Sequence, residues 1–333
     1  MPQLELGPPG LAISRQEGPG ASPVLALRFG GVTGATLRPD GIDIALGLEP
    51  MEIPEGTEVA PELWYAAGAV RTEQVDELML AQAGDRLVGC WYRPHGADED
   101  PEAITEEAYR AILEACRDRG FGHLVRAWNY FPAINQSVDG QERYRSFCAG
   151  RARVFEALPD FERDLPAATA IGTHVDGMLI YFIATRETTL RIENPRQVSA
   201  FRYPRQYGPR SPSFARARMS QDEGGAAELF ISGTASIVGH ESRHPGDLEA
   251  QIDESLRNIG VLLEAASEEG SVALRDPGDL SMLKVYLRHR ADGARAWGHL
   301  RQCLGEDVDI LMLHGDICRS ELLVEIEGLY RQG

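Results

Sequence analysis

The 333-residue chain carries 51 acidic and 33 basic residues, which gives a formal net charge of −18 at neutral pH. Because nucleic acids and anionic membranes bind proteins through basic surfaces, a charge of this sign argues against both as partners. Hydrophobic residues make up 43% of the chain and charged residues 25%, a composition typical of a folded globular protein rather than a disordered one.

The first half of the chain predicts strands followed by two helices. Short apolar runs separated by glycine, proline and aspartate turns fill the first hundred residues and predict a set of β-strands. Apolar residues recur at helical spacing in 101–120, so that segment predicts a helix, and 142–158 predicts a second one. A strand at 123–131 lies between them, and 166–186 holds two more strands.

The second half repeats this order of elements. Residues 227–239 predict a pair of strands, and 246–267 predict a long helix with Asp247 as its N-cap. A strand, a helix and two strands follow. The shared order predicts an internal duplication and an α+β fold, in which helices cover one face of each mixed sheet. We place the two units at 1–190 and 220–333.

The segment between the units, 191–219, is rich in arginine and has no acidic residue after Glu193. Its seven arginines are Arg191, Arg196, Arg202, Arg205, Arg210, Arg216 and Arg218. Its four prolines disfavour a long helix, so we expect an ordered loop. Guanidinium groups grip carboxylates in a bidentate manner, and interleaved aromatic residues would supply the walls of a site. The loop therefore predicts a site for a compact dicarboxylate; the alternative is a solvated charged face.

Residues 240–244 read His-Glu-Ser-Arg-His and match the zinc-binding pattern H-E-x-x-H. That pattern binds metal only on a helix, where both imidazoles lie on one side. Here it follows a β-rich segment and runs into Pro245 and Gly246, which predict a turn. We interpret it as a polar loop and expect no metal site.

The cysteine pattern and the chain start bear on localisation. The five cysteines are scattered and form no C-x-x-C pair: Cys90, Cys116, Cys148, Cys303 and Cys318. This distribution is typical of free thiols in a reducing compartment. The first twenty residues lack a basic segment followed by an apolar core, and no run of eighteen apolar residues occurs. We expect a cytoplasmic protein, and no obligate protein partner is evident.

Two glutamates near the end of the chain are candidate acids. Glu325 and Glu327 fall on one face of a predicted strand, because side chains alternate along a strand. A carboxyl group held among apolar neighbours keeps its proton to higher pH, as a general acid at neutral pH requires. The pattern leaves either glutamate open as the acid, and equally a strand whose outer face is simply solvated.

Four segments together resemble the chorismatase family: RYRSFCAGR at 143–151, NPRQVSAFRYPRQYGPRSPSFARA at 194–217, ISGTASIVGHES at 231–242 and ICRSELLVEIEG at 317–328. The second unit is also similar to the RidA/YjgF fold, which is chorismate-mutase-like, and the first unit is so more faintly. The likeness spans residues 75–333. It implies two RidA/YjgF-like units with a pocket between them.

The resemblance implies an enzyme without metal or cofactor that releases pyruvate from chorismate, with 3-hydroxybenzoate as the expected ring product. Arg151, Arg205, Tyr207 and Arg210 become candidate anchors for the two carboxylates of the substrate. Glu325 becomes the catalytic acid, with Glu327 as a competitor. Protonation of the enolpyruvyl methylene carbon would come first, and the ring hydroxyl would then displace the side-chain oxygen through an epoxide.

The resemblance also implies that two positions govern the product. Members that hydrolyse the side chain have alanine-like residues where this chain has Gly233 and Cys318. Gly233 would leave room, and Cys318 would put a polarizable sulfur beside the ring. The alternatives are hydrolysis to a dihydroxycyclohexadienoate and mixed formation of 3- and 4-hydroxybenzoate. More distant alternatives are a RidA-type imine deaminase and a non-catalytic anion-binding module.

Overall fold

The structure, a computed structural model, describes residues 11–14, 22–54, 59–221, 226–270 and 272–332. Apart from 11–14, the chain start from which the absence of a secretory signal was predicted lies outside the described residues. Within the described ranges, no helix combines the length and the apolar character needed to cross a membrane.

The described residues between positions 11 and 66 form a five-stranded sheet of their own. Its strands are β1 (Leu11–Ser14), β2 (Leu25–Phe29), β3 (Gly34–Arg38), β4 (Gly41–Leu46) and β5 (Glu62–Ala66). They are arranged in the order β1-β5-β2-β4-β3, with β2 and β4 parallel. The sequence interpretation placed these strands in the first unit, because apolar runs and turns predict a strand without indicating which sheet it joins.

The first duplicated unit contains a six-stranded sheet. Its elements are β6 (Arg71–Val75), β7 (Leu78–Ala83), β8 (Arg86–Arg93), α1 (Pro101–Asp118), β9 (His123–Pro132), the hairpin β10 (Ser137–Val138) and β11 (Gln141–Glu142), α2 (Arg143–Phe155), α3 (Phe161–Asp164), β12 (Ala167–Thr173) and β13 (Met178–Thr185). Across the sheet the order is β6-β7-β8-β13-β9-β12. β9 and β12 are parallel, and their neighbours pair antiparallel.

The second unit has the same architecture. Its elements are β14 (Leu190–Ile192), β15 (Ala217–Gln221), β16 (Ala227–Thr234), the hairpin β17 (Ile237–Val238) and β18 (Glu241–Ser242), α4 (Leu248–Glu269), β19 (Met282–Leu287), α5 (Gly293–Leu304), β20 (Asp309–His314) and β21 (Val324–Arg331). The sheet order β14-β15-β16-β21-β19-β20 matches the first unit strand for strand. The parallel pair β19 and β20 corresponds to β9 and β12. The predicted duplication is therefore confirmed.

The two six-stranded sheets pack with their inner faces together and their helices outside. α1 and α2 cover the outer face of the first sheet, and α4 and α5 cover that of the second. The inner faces share one core, in which Trp128, Tyr181, Phe230 and Tyr286 meet Trp64 of the N-terminal sheet. The rings of Trp128 and Tyr181 stack with their centroids 4.4 Å apart. The predicted α+β class, with helices on one face of each mixed sheet, is confirmed.

Local signals set the ends of the elements. The side chain of Asp247 accepts a hydrogen bond from the backbone N–H of Ala250 at 3.2 Å, so the predicted N-cap of α4 is confirmed. The H-E-x-x-H segment lies in a hairpin rather than a helix, with His244 at a φ of 55°. His240 Nδ1 lies 3.2 Å from the hydroxyl of Tyr207, and His244 contacts a different residue. The interpretation of this segment as a polar loop is confirmed.

Candidate active site

A cavity of about 310 Å³ opens where the two units meet. Its wall is built by α2 and β12 of the first unit, by β16 and β21 of the second, and by the arginine-rich loop that joins them. The segment 318–321, which leads into β21, closes one side. This volume is within the range of small-molecule sites.

Gly233 lies on this wall because β16 contains an irregularity. The pairing of β16 with β21 shifts register between Ile231 and Thr234, and such a bulge turns the backbone towards a neighbour. A Cβ atom at position 233 would lie 1.9 Å from Oε1 of Glu325. Glycine is therefore the residue that lets this carboxyl group rest against the strand.

Glu325 itself is 5% exposed and lines the cavity. Burial, reinforced by the negative charge of Glu327, raises the pKa of Glu325 to about 8. A carboxyl group with this pKa holds its proton at neutral pH and can transfer it to a substrate.

Glu327 lies in a different environment. Its carboxylate accepts hydrogen bonds from Trp128 Nε1 at 2.7 Å, Arg126 Nη2 at 2.7 Å and Thr169 Oγ1 at 2.5 Å. Although burial disfavours the charge, Lys284 and Arg126 lower the pKa of Glu327 below its ordinary value. Glu327 is therefore ionised, and its carboxylate is held by these hydrogen bonds. Strand alternation left Glu325 and Glu327 equivalent, but their environments give the two carboxyl groups different protonation states.

Two buried arginines supply positive charge to the wall. Arg151 is 3% exposed, lies over the ring of Tyr109 at 4.7 Å, and has no hydrogen-bond partner for its buried Nε and Nη2 among the described residues. Arg216 donates to the hydroxyl of Tyr203 at 2.8 Å, while its buried Nε has no such partner. Buried N–H groups without an acceptor cost free energy, so both sites favour an incoming anion.

The structure brings three of the four predicted anchors to the cavity. Arg151, Tyr207 and Arg210 line it, and Arg210 Nη1 also reaches Glu156 at 2.8 Å. Arg205 is exposed and lies outside the lining.

Sequence reasoning missed three arginines of the wall, which are Arg145, Arg216 and Arg319. Arg216 belonged to the predicted cluster, but nothing in the loop sequence distinguishes an arginine that faces the cavity from one that faces solvent. Arg319 lies over the ring of Tyr207 at 4.0 Å and donates to the carbonyl of His240. The sequence signal for Arg319 is its position next to Cys318, in the segment 317–328 that resembles the family.

Cys318 is half-buried in the cavity wall and packs against the cores on both sides of the first sheet. Burial, together with the nearby Glu325, raises the pKa of the Cys318 thiol. The sulfur is therefore a neutral thiol at physiological pH, a polarizable contact rather than a thiolate nucleophile.

A group of side chains able to bind a metal lies elsewhere. Asp253, His299 and Cys303 come together between α4 and α5, with His299 Nε2 2.7 Å from Asp253 Oδ1. None of the three lines the cavity.

Comparison with known proteins identifies the family. Residues 62–184 match the family model described as chorismatase FkbO/Hyg5-like, N-terminal. A chorismatase from Streptomyces rapamycinicus is 38% identical over 298 residues, covering 87% of this chain and 88% of the relative. A 3-hydroxybenzoate synthase from Streptomyces hygroscopicus is 39% identical over 295 residues, covering 85% and 84%. A chorismatase crystal structure matches with a TM-score of 0.87 at 30% identity, over 97% of this chain and 98% of the other. The chain belongs to the chorismatase family.

Proposed function

We propose that this protein converts chorismate to 3-hydroxybenzoate and pyruvate. The observation that carries the proposal is the pairing, in one cavity, of a buried protonated carboxyl group at Glu325 with the buried guanidinium of Arg151, whose Nε and Nη2 have no hydrogen-bond partner among the described residues. Relatives named chorismatase and 3-hydroxybenzoate synthase, which match over most of this chain, support the same substrate and product.

The charge of the cavity suits a dianion. Chorismate carries one carboxylate on its ring and one on its enolpyruvyl group. Within the described part of the chain, five arginines line the cavity of a protein whose net charge is −18: Arg145, Arg151, Arg210, Arg216 and Arg319. A bidentate guanidinium fixes the orientation of a carboxylate as well as its position. The two buried guanidiniums are therefore the proposed anchors, and Arg210 at the exposed side assists them.

The first chemical step is proton transfer from Glu325 to the methylene carbon of the enol ether. Protonation of carbon is slow, so the acid must be held against the substrate, and the contact with Gly233 confines it. The resulting oxocarbenium ion weakens the bond between the ring carbon and the ether oxygen. The ring hydroxyl attacks that carbon, loses its proton and forms an epoxide as the bond breaks and pyruvate leaves.

Opening of the epoxide completes the reaction. The epoxide oxygen takes up a proton as its bond to one ring carbon breaks, and that ring then loses a C–H proton to become aromatic. Two protons are taken up and two are released, and the two products contain all the atoms of chorismate and no others. Cys318, as a neutral thiol in the wall, is proposed to exclude water and guide the opening.

The expected cytoplasmic location is also a proposal. All five cysteines are free, and three of them are buried. Free thiols are typical of a reducing compartment, which supports this location. The cavity supports a small molecule as the binding partner.

The test is incubation of the purified protein with chorismate, with pyruvate measured by a coupled dehydrogenase and the ring product by chromatography. We expect equimolar pyruvate and 3-hydroxybenzoate, and none of either from Glu325→Gln. Tight binding of chorismate without turnover would instead indicate an anion-binding module. Turnover of 2-imino acids alone would indicate a deaminase, and pyruvate with a dihydroxycyclohexadienoate would indicate simple hydrolysis.

A further inference from the structure

Four charged side chains form a buried network next to the cavity: Glu62 of the N-terminal sheet, Arg126 of the first unit, and Lys284 and Glu327 of the second. Each is at most 5% exposed. Lys284 Nζ lies 2.7 Å from Glu62 Oε2 and 3.3 Å from Glu327 Oε1. Arg126 Nη2 lies 2.7 Å from Glu327 Oε2. Two cations thus balance two anions, and the network joins all three large sheets.

Thr169 connects this network to the wall of the cavity. Its hydroxyl donates to Glu327 Oε2 at 2.5 Å, and it accepts from Arg126 Nη2 at 2.5 Å and from the Gly233 N–H at 3.0 Å. A hydroxyl group has one proton and two lone pairs, so these three partners satisfy it completely. The proton of Thr169 must point at Glu327, which requires an unprotonated oxygen there.

The contact continues from Gly233 to the proposed acid. Since Gly233 has no side chain, the carboxyl group of Glu325 rests directly against it. Thr169 therefore fixes β16, the strand against which the carboxyl group of Glu325 rests. Glu327 in turn fixes Thr169.

Charge balance acts on the same residue. Glu325 and Glu327 point to one face of β21, with Cα atoms about 7 Å apart. Ionisation of Glu325 would place a second buried negative charge beside that of Glu327, in surroundings of low dielectric constant where like charges repel strongly. The negative charge of Glu327 therefore favours the protonated form of Glu325.

Other charged and titratable groups also surround the two glutamates. Arg126, Arg216 and Arg288 oppose the effect of Glu327 on Glu325. Four buried tyrosines and one cysteine have raised pKa values, mainly from burial, and stay neutral: Tyr130, Tyr144, Tyr181, Tyr286 and Cys318. Burial is the larger cause that favours the proton on Glu325, and the charge of Glu327 acts in the same direction.

We propose that Glu327 is a positioning residue for the reaction: through Thr169 and Gly233 it holds the carboxyl group of Glu325 in place, and through its fixed charge it keeps the proton on that group. The inference rests on the proposed function, because it assigns how the acid of that reaction is prepared. It also gives the N-terminal sheet a role, since Glu62 neutralises Lys284 and leaves the charge of Glu327 effective.

The first test is the pH profile of kcat/KM for pyruvate release by Glu327→Gln. Activity requires protonated Glu325, so the alkaline limb of the profile reports its ionisation. Removal of the neighbouring anion favours ionisation, and we expect the limb to move by about one pH unit towards acid. At pH 8 the wild-type protein should therefore keep about half of its maximal activity and the variant about a tenth, while near pH 6 the variant should keep most of its own maximum. An unmoved limb, whatever the activity near pH 6, would overturn the proposed effect of the Glu327 charge on Glu325.

The matched control is Glu228→Gln. Glu228 is a similarly buried carboxylate, paired with Arg86 at 2.7 Å, and it does not line the cavity. Its substitution removes a buried ion pair of the same kind, so it should lower stability while leaving the alkaline limb in place. A shift equal to that of Glu327→Gln would overturn the proposal, because breaking any buried pair would then have the same effect.

Thr169 supplies a test that keeps all four charges and does not depend on the folding of Glu327→Gln. Thr169→Val removes the bridging hydroxyl at nearly constant volume, so kcat should fall about tenfold or more with KM little changed. Thr169→Ser retains the hydroxyl and should restore kcat. Equal activity of the two variants would overturn the positioning role.

A spectroscopic measurement separates failure of this inference from failure of the proposed function. The infrared band of a protonated carboxyl group, assigned to Glu325 by its absence in Glu325→Gln, should disappear at lower pH in Glu327→Gln than in the wild-type protein. This holds whether or not chorismate is turned over. Absence of pyruvate from the wild-type protein would reject the function alone, while a band that titrates identically in both proteins would reject the inference alone.

Discussion

The raised pKa of Glu325 makes a quantitative prediction about stability. In the folded protein the pKa of this carboxyl group is about 8, against 4.5 for an unperturbed glutamate. The folded state therefore keeps a proton that the unfolded state releases between these two values. Within that window the free energy of unfolding falls as the pH rises, by about 1.4 kcal/mol per pH unit. Below pH 4.5 both states are protonated, so Glu325 adds no pH dependence to the free energy of unfolding. Above pH 8 the loss is complete.

The size of the effect follows from the width of the window. The shift from 4.5 to about 8 corresponds to about 5 kcal/mol at most. Glu325→Gln has no proton to keep, so it should escape this loss. We expect the variant to gain up to about 5 kcal/mol over the wild-type protein between pH 4 and pH 9, even though it releases no pyruvate. An enzyme that loses its acid should thus become more stable in alkali.

Urea denaturation of both proteins at a series of pH values provides the assay. The difference between the two free energies of unfolding cancels the groups that titrate in common, so its pH dependence reports Glu325. A difference that stays constant from pH 4 to pH 9 would refute the reasoning, since Glu325 would then have an ordinary pKa in the fold.

Three further predictions concern the cavity wall. Arg151→Ala removes a buried carboxylate anchor, so kcat/KM for chorismate should fall roughly ten- to a hundred-fold; Arg205→Ala, at an exposed position outside the lining, should leave it unchanged, and equal losses would refute the assignment. Cys318→Ala keeps the acid, so pyruvate should still form while chromatography shows the ring product shifting towards the non-aromatic diol; an unchanged product would make Cys318 a packing residue only. Gly233→Ala would place a Cβ atom 1.9 Å from Oε1 of Glu325 and must displace that carboxyl group, so pyruvate release should fall by up to about a hundred-fold, and wild-type rates would show that Glu325 acts from another position.

Much of the fold could be predicted from local signals. The helical spacing of apolar residues predicted α1, and Asp247 marked the start of α4, because both signals lie within a few residues of the element they specify. The repeated order of elements predicted the duplication. The separate N-terminal sheet could not be predicted, because the pairing of β2 with β4 and β5 is a tertiary choice that strand patterns do not encode.

The site shows the same division. Strand alternation placed Glu325 and Glu327 together, but their chemical difference depends on Arg126 and Lys284, which are distant in sequence and come from other strands. No window of sequence contains that information. Arg205 shows the converse: it belongs to the same arginine-rich loop as Arg210, but the structure places it in solvent, outside the cavity lining.

The duplication within one chain also has a consequence for symmetry. In a symmetric pair of identical subunits, every substitution is present at both equivalent strands. Here β13 has the sequence MLIYFIAT, which is buried and contains no charged residue. Its counterpart β21 has the sequence VEIEGLYR and carries both glutamates. Because the two units are linked in one chain, their equivalent strands can differ in sequence. One strand can therefore carry the acid and the neighbouring carboxylate, while the other remains apolar. A single asymmetric site, in which each half has a different task, is therefore available to this chain and would be closed to a homodimer of either half.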